Sequence, residues 1–185
     1  PNFYVAQLAS KFVKVILSGT GGDELFGGYP WRYYRGLGSE DGNAYVADYY
    51  SYWQRLVPDG GLNSLFNKGT LAKIDEERPS TVFRTAFGRA RPLETLEDRV
   101  NASLQFEMKT FLHGLLLVED RQSMAHSLEA RVPFLDNDLV DFAMTISPAR
   151  KLKHLAHKPD VNENELQTKI SQMQDSGDGK VVLRH

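Results

Sequence analysis

The densest run of chemically useful residues is Ser18-Gly19-Thr20-Gly21-Gly22-Asp23-Glu24-Leu25-Phe26-Gly27-Gly28-Tyr29, in which two aliphatic hydroxyls and two adjacent acids are set among glycines. It follows directly on a β-branched run, Phe12-Val13-Lys14-Val15-Ile16-Leu17. A strand that ends in a glycine-rich turn and enters a helix presents backbone N–H groups at the positive end of the helix dipole, which suits a phosphate. Glycine at positions 21 and 22 admits positive φ and a close approach of the backbone to a ligand. Asp23 then has two readings: it caps the helix, or it holds a Mg²⁺ that bridges phosphate oxygens, an ion that favours a few carboxylates plus phosphate. Glu24 either orients the site or is a solvated acid of the first turn. The run is not a Walker A loop, since no Gly-Lys-Ser/Thr follows. It is not the dinucleotide fingerprint either, because Glu24 stands where a third glycine is required.

The elements that must position this loop follow from hydrophobic period. Phe3 to Lys11 is consistent with a short helix, and Phe12 to Leu17 reads as a strand buried on at least one face. Beyond Gly28 the β signal nearly vanishes. Tyr45 to Leu56, Leu62 to Ile74 and Val82 to Phe87 read as helices, punctuated by Gly60-Gly61, Gly69 and Pro79. Leu93, Leu96, Val100, Leu104, Met108, Phe111, Leu112 and Leu115 recur in steps of three and four, the apolar face of one long helix with a bend expected near His113-Gly114. Asp136 is placed to cap a helix that Pro148 would stop. A lone strand has no ladder partner, so its sheet is expected to be completed elsewhere. Residues 1–153 form one unit on this reading, and the polar stretch 154–185 is expected to be a mobile part of the same domain.

Composition narrows the field. The chain of 185 residues carries 22 Lys+Arg against 24 Asp+Glu and is 41% hydrophobic, a normal globular balance with no basic excess for neutralising many phosphates of a nucleic acid. With no Cys, neither a disulfide framework nor a thiolate zinc site is available. No apolar run approaches the roughly 18 residues of a membrane span, and a cytoplasmic location is expected. The interleaving of Tyr29, Trp31, Tyr33 and Tyr34 with Arg32 and Arg35 superficially resembles a base-stacking surface. Packing is the better reading, as it is for Tyr45, Tyr49, Tyr52 and Trp53 on one helical face.

Ser-Gly-x-Gly-Gly-Asp-Glu-Leu-Phe-Gly-Gly-Tyr resembles the signature of the synthetase domain of glutamine-dependent asparagine synthetases. A second block in the right order agrees: Val118-Glu119-Asp120-Arg121-Gln122-Ser123-Met124-Ala125-His126-Ser127-Leu128-Glu129-Ala130-Arg131-Val132-Pro133-Phe134-Leu135-Asp136. The resemblance covers roughly Val13 to Lys153, with a weaker echo at Gly179 to Arg184. It implies an α/β parent of the adenine nucleotide alpha hydrolase type with a parallel sheet, of which these residues supply a mainly helical part with one N-terminal strand. It also implies ATP and Mg²⁺, and a reaction in which the aspartate side-chain carboxylate is adenylated with release of pyrophosphate. Ammonia, released from glutamine by a glutaminase domain, then displaces AMP to give asparagine. A homodimer of the complete enzyme is a further expectation.

Carried over by position, Ser18 and Gly19 resemble residues that touch ATP and pyrophosphate, Gly21 and Gly22 permit the approach, and Asp23 resembles the metal-binding carboxylate. Arg121 is either a site residue or half of an ion pair. Glu129 and Arg131 are expected to pair and fix the turn into the buried stretch Val132 to Leu135, and His126 is expected to be structural. One departure stands out: Thr20 occupies a position that is Glu or Asp in the best-known family members, where it bears on the acyl-adenylate. Thr hydrogen-bonds but cannot carry the charge, so either another group is recruited or the acceptor carboxylate differs. The family's separate Ser-Gly-Gly-x-Asp-Ser loop and Lys-Gln-Gly-Phe-like segment are not found in this sequence. The chain is therefore expected to be a central piece, inactive alone, with a non-catalytic helical scaffold as the remaining reading.

Overall fold

The computed structural model describes residues 1–54, 57–74, 79–88, 93–153, 155 and 179–184. Most of the expected 154–185 segment lies outside the described residues. An N-terminal helix α1 (Asn2–Ala9) leads into strand β1 (Val15–Leu17), the glycine loop, and the short helices α2 (Gly22–Phe26) and α3 (Pro30–Tyr33). A helical region follows: α4 (Gly42–Trp53), α5 (Leu62–Leu65), α6 (Lys68–Ile74), α7 (Pro79–Phe87), α8 (Leu96–Lys109) and α9 (Phe111–Met124). Strand β2 (Glu129–Arg131), helix α10 (Asn137–Thr145) and helix α11 (Pro148–Lys151) complete the fold.

Several boundaries have local causes. Asp41 caps α4 by accepting from Ala44 N at 2.8 Å. Thr95 and Asp98 form a reciprocal capping box at the start of α8. Asp136 caps α10 as expected, accepting from Asp138 and Leu139 N. Pro148 does more than stop that helix: it is the first residue of α11, with Ser147 as the cap. Gly69 lies within α6 and does not punctuate it. The long periodic stretch is two helices, and its break lies at Thr110 and not at His113-Gly114. Thr110 leaves helical geometry at φ −117°, ψ −67°, and its Oγ1 donates to the Phe106 carbonyl at 2.8 Å. Both helices keep their apolar residues in phase across this break, so period alone reads them as one.

The core is aromatic. Tyr45 and Tyr49 of α4 stack with centroids 6.0 Å apart and planes 9° from parallel. Phe83 and Phe87 of α7 close over them with Phe106 of α8. Within this apolar setting lies a fully buried carboxylate, Glu107. It accepts from Tyr49 OH at 2.6 Å and Tyr33 OH at 3.2 Å, and pairs with Arg32 at 3.4 Å. The Arg32 guanidinium lies over the rings of Tyr29 (3.9 Å) and Phe111 (4.5 Å), which are themselves edge-to-face. Burial pushes the Glu107 carboxyl up to about 6, against the opposing pull of Arg32 and the two phenols. The aromatic–arginine interleaving is thus packing, as the sequence reading preferred.

Two expectations about the sheet are corrected. β1 has a partner within the chain: β2 pairs with it in parallel, Val15 opposite Glu129, Ile16 opposite Ala130 and Leu17 opposite Arg131. Glu-Ala-Arg has poor strand propensity, which hides β2 from a pattern reading. β1 is also shorter than the β-branched run and is not buried on one whole face, since Val15 and Leu17 are 42% and 74% exposed. A parallel sheet is ordinarily covered on both faces; here only Ile16, half-buried beneath α1 and α9, is screened.

Candidate functional site

The end of β1 delivers Ser18 and Thr20 to a groove of about 310 Å³ floored by the strand and walled by α1 and α9. Val5, Ala6, Leu115 and Val118 form its aliphatic sides, and Ser18, Thr20, Glu119, Gln122 and Ser123 its polar part. β2 holds the strand end in place, because Ser18 N donates to the Arg131 carbonyl at 2.8 Å.

A directional hydrogen-bond chain runs through this polar part. Thr20 Oγ1 donates to Glu119 Oε2 at 2.5 Å, a contact between residues 99 positions apart. Ser18 Oγ and Thr20 Oγ1 are 3.0 Å apart. A threonine hydroxyl has one proton, so with that proton on Glu119 it is Ser18 that donates to Thr20. Ser18 Oγ in turn accepts from Thr20 N at 3.2 Å. The result is a relay from Ser18 through Thr20 to a carboxylate. Glu119 lies within α9, about two helical turns after Phe111, and is half-buried, so the helix and not a loop sets its position.

The glycine loop differs from a bare phosphate cradle. Three of its amides are already engaged: Ser18 N with Arg131, Thr20 N with Ser18 Oγ, and Gly22 N with the Gly19 carbonyl at 3.2 Å. Gly21 takes φ +95° and a Cβ there would overlap Leu135, while one at Gly22 would press on Phe134 at 3.2 Å. These two glycines therefore serve close packing of α2 against the turn Pro133–Leu135. Of the described glycines in this loop only Gly19 would have a Cβ meeting nothing within 4 Å, so this is where the loop's backbone stays open to a ligand.

Asp23 is placed elsewhere. Its carboxylate lies against Gly28, where a Cβ could not fit, and pairs with Lys180 Nζ at 2.6 Å. Among the described residues no group of three or more His, Asp or Glu side chains is arranged to hold a metal. A carboxylate already neutralised by a lysine and directed off the groove does not fit the Mg²⁺ anchor expected of it. Glu24 is neither a solvated acid nor a groove residue: it is 1% exposed and accepts from Tyr29 OH at 2.9 Å. Burial, with Glu24 beside it, raises the Tyr29 phenol well above its ordinary value.

Of the residues expected to act, Thr20 is in the groove and Arg121 is not. Arg121 is exposed on α9 and does not line it. Two positions before it, Glu119 is the residue that sequence reasoning passed over; helical spacing alone could have separated the faces of Glu119 and Arg121, about 200° apart at 3.6 residues per turn. Glu129 and Arg131 do pair, at 2.8 Å, but on the exposed face of β2 and not against a buried segment. Of the stretch they lead into, Phe134 and Leu135 are half-buried and Pro133 is exposed. His126 packs on Phe3 with centroids 4.5 Å apart, a structural role.

Comparison with known proteins places this geometry in context. The asparagine synthase family model matches residues 1–185. "Asparagine synthetase [glutamine-hydrolyzing] 1" of Bacillus subtilis (strain 168) is 31% identical over 179 residues, covering 83% of this chain and 28% of its own length. A putative asparagine synthetase [glutamine-hydrolyzing] of Mycobacterium tuberculosis (strain CDC 1551 / Oshkosh) is 33% identical over 190 residues, covering 85% of this chain and 28% of its own. A shorter match, 62% identical over 29 residues, is to "Putative asparagine synthetase [glutamine-hydrolyzing] 2" of Methanocaldococcus jannaschii. The chain thus spans little more than a quarter of the length of the first two. No solved structure matches it, and no helix among the described residues is long and apolar enough to cross a membrane. With its glycine loop, its second sequence block and its whole length matched, this chain is a member of the asparagine synthase family.

Proposed function

We propose that the chain is part of an ATP-dependent amidotransferase that activates the side-chain carboxylate of aspartate as an acyl-adenylate and amidates it with glutamine-derived ammonia. A free carboxylate is a poor acylating agent, and transfer to AMP turns its oxygen into a good leaving group. The observation that carries this reading is the placement of the Ser18–Thr20 loop at the carboxyl end of a parallel strand, where ligands of open α/β sheets bind. In this account ATP meets the chain at Ser18 Oγ and the open backbone of Gly19. Gly21 and Gly22 act indirectly, by seating the loop on Phe134 and Leu135. Asp23 stays with its Lys180 pair.

Thr20 favours a second reading within the same chemistry: a related amidotransferase acting on another carboxylate. The test is product analysis with the complete polypeptide. Supplied with ATP, glutamine and aspartate, it is expected to give asparagine, AMP and pyrophosphate in equal amounts. ADP and inorganic phosphate as products would contradict adenylation. AMP and pyrophosphate formed only with a different acid would select the second reading.

A further inference from the structure

The geometry points to Glu119 as the group that accepts the proton of the incoming ammonia in the amidation step, in place of the acidic side chain that position 20 lacks. This rests on the adenylating reading above and adds to it the identity of the base and the side from which nitrogen enters.

Three observations carry it. First, a carboxylate stands directly beside position 20, since Thr20 Oγ1 donates to Glu119 Oε2 at 2.5 Å. Second, that bond uses one carboxylate oxygen; the other takes no hydrogen bond from a described residue, and Glu119 lines the groove. Third, among the described residues no Lys or Arg lines the groove. A polyphosphate placed there would meet a carboxylate with no countercharge, whereas a neutral amine meets acceptors and an aliphatic wall. The groove is therefore suited to the nitrogen nucleophile, and the phosphates belong on the Gly19 side of the loop.

The step balances without further reagents. The ammonia lone pair forms the C–N bond to the acyl carbon, and the carbonyl electrons shift to oxygen. As they return, the bond to AMP breaks and AMP leaves with its electron pair. The surplus N–H proton passes to Glu119, which becomes a carboxylic acid and later releases it to water. The hydroxyl of Thr20 holds the carboxylate in register.

The same acceptor chemistry would also suit the α-ammonium group of the amino-acid substrate, and the test separates the two. In the complete polypeptide, Glu119→Gln is expected to keep aspartate-dependent exchange of pyrophosphate into ATP within about threefold, with an unchanged KM for aspartate. Amide formation from ammonia is expected to fall about 10²–10⁴-fold, the span of general base catalysis. The double variant Thr20→Glu/Glu119→Gln, which returns the carboxylate to the loop, is expected to recover at least tenfold of the lost rate. Normal amide formation by Glu119→Gln would overturn the inference. So would a raised aspartate KM in the exchange reaction, which would assign Glu119 to the substrate ammonium, or an equal loss of both half-reactions, which would assign it to structure. A wild-type enzyme without exchange would instead overturn the adenylating reading and this inference with it.

Discussion

At the scale of single residues, the glycines of the loop divide into two kinds that their spacing does not distinguish. Gly19 is open, whereas Gly21 combines φ +95° with a side wall made by Leu135. Gly21→Ala is therefore expected to destabilise the domain by about 1–3 kcal/mol through strain and overlap, and Gly19→Ala to stay within about 0.5 kcal/mol. Urea unfolding of the two variants measures this directly, and equal losses would contradict the assignment. Glu107 gives a second prediction at this scale. Its folded pKa of about 6 lies above the ordinary 4.5, so its stabilising contribution is complete below pH 4.5 and is lost as pH rises through about 6. At 1.36 kcal/mol per unit the loss is on the order of 2 kcal/mol. Glu107→Gln removes that dependence, so its stability deficit relative to wild type should shrink between about pH 4.5 and pH 7. A deficit that grows over this window would show that Arg32 and the two phenols, and not burial, dominate the site.

At the scale of elements, legibility in sequence followed the strength of the local signal. α10 is readable because apolar period and the Asp136 cap agree, and α4 by its aromatic period, whereas α8 reads as one helix with α9 and the Thr95–Asp98 box that caps it is visible only in the structure. Thr95→Ala is expected to cost about 1 kcal/mol in thermal or urea unfolding through loss of that cap; no change would mean that packing alone holds the start of α8. β2 was unreadable because three residues, two of them charged, form a strand only by pairing with β1 across more than a hundred positions. The site divides in the same way. Ser18 and Thr20 were evident from the loop, but their partner Glu119 is set by how α9 crosses the end of β1, which no local pattern encodes. The family resemblance points to Arg121, but only the crossing of α9 over the end of β1 shows that the face carrying Glu119 is the one that meets the loop.

At the scale of the whole molecule, the described C-terminal residues are tied back to the loop region. Lys180 N donates to the Phe26 carbonyl at 3.1 Å and its ammonium pairs with Asp23. Gly179 lies so close to the Gly27 carbonyl that no side chain would fit. The pair is one-third exposed, so its direct contribution is about 1 kcal/mol or less. Its effect should be local: Asp23→Asn is expected to speed hydrogen exchange at the Lys180 amide several-fold, more so at low salt, with little change in α8. Unchanged exchange there would show that backbone contacts suffice.

Adenylation of a carboxylate bonds one of its oxygens to phosphorus. The most direct measurement supplies the complete polypeptide with aspartate whose side-chain carboxylate carries heavy oxygen, together with ATP and ammonia, and follows the label by mass spectrometry. One heavy oxygen in the AMP phosphate is the predicted result. Heavy oxygen found instead in inorganic phosphate, or AMP released without any, would contradict it.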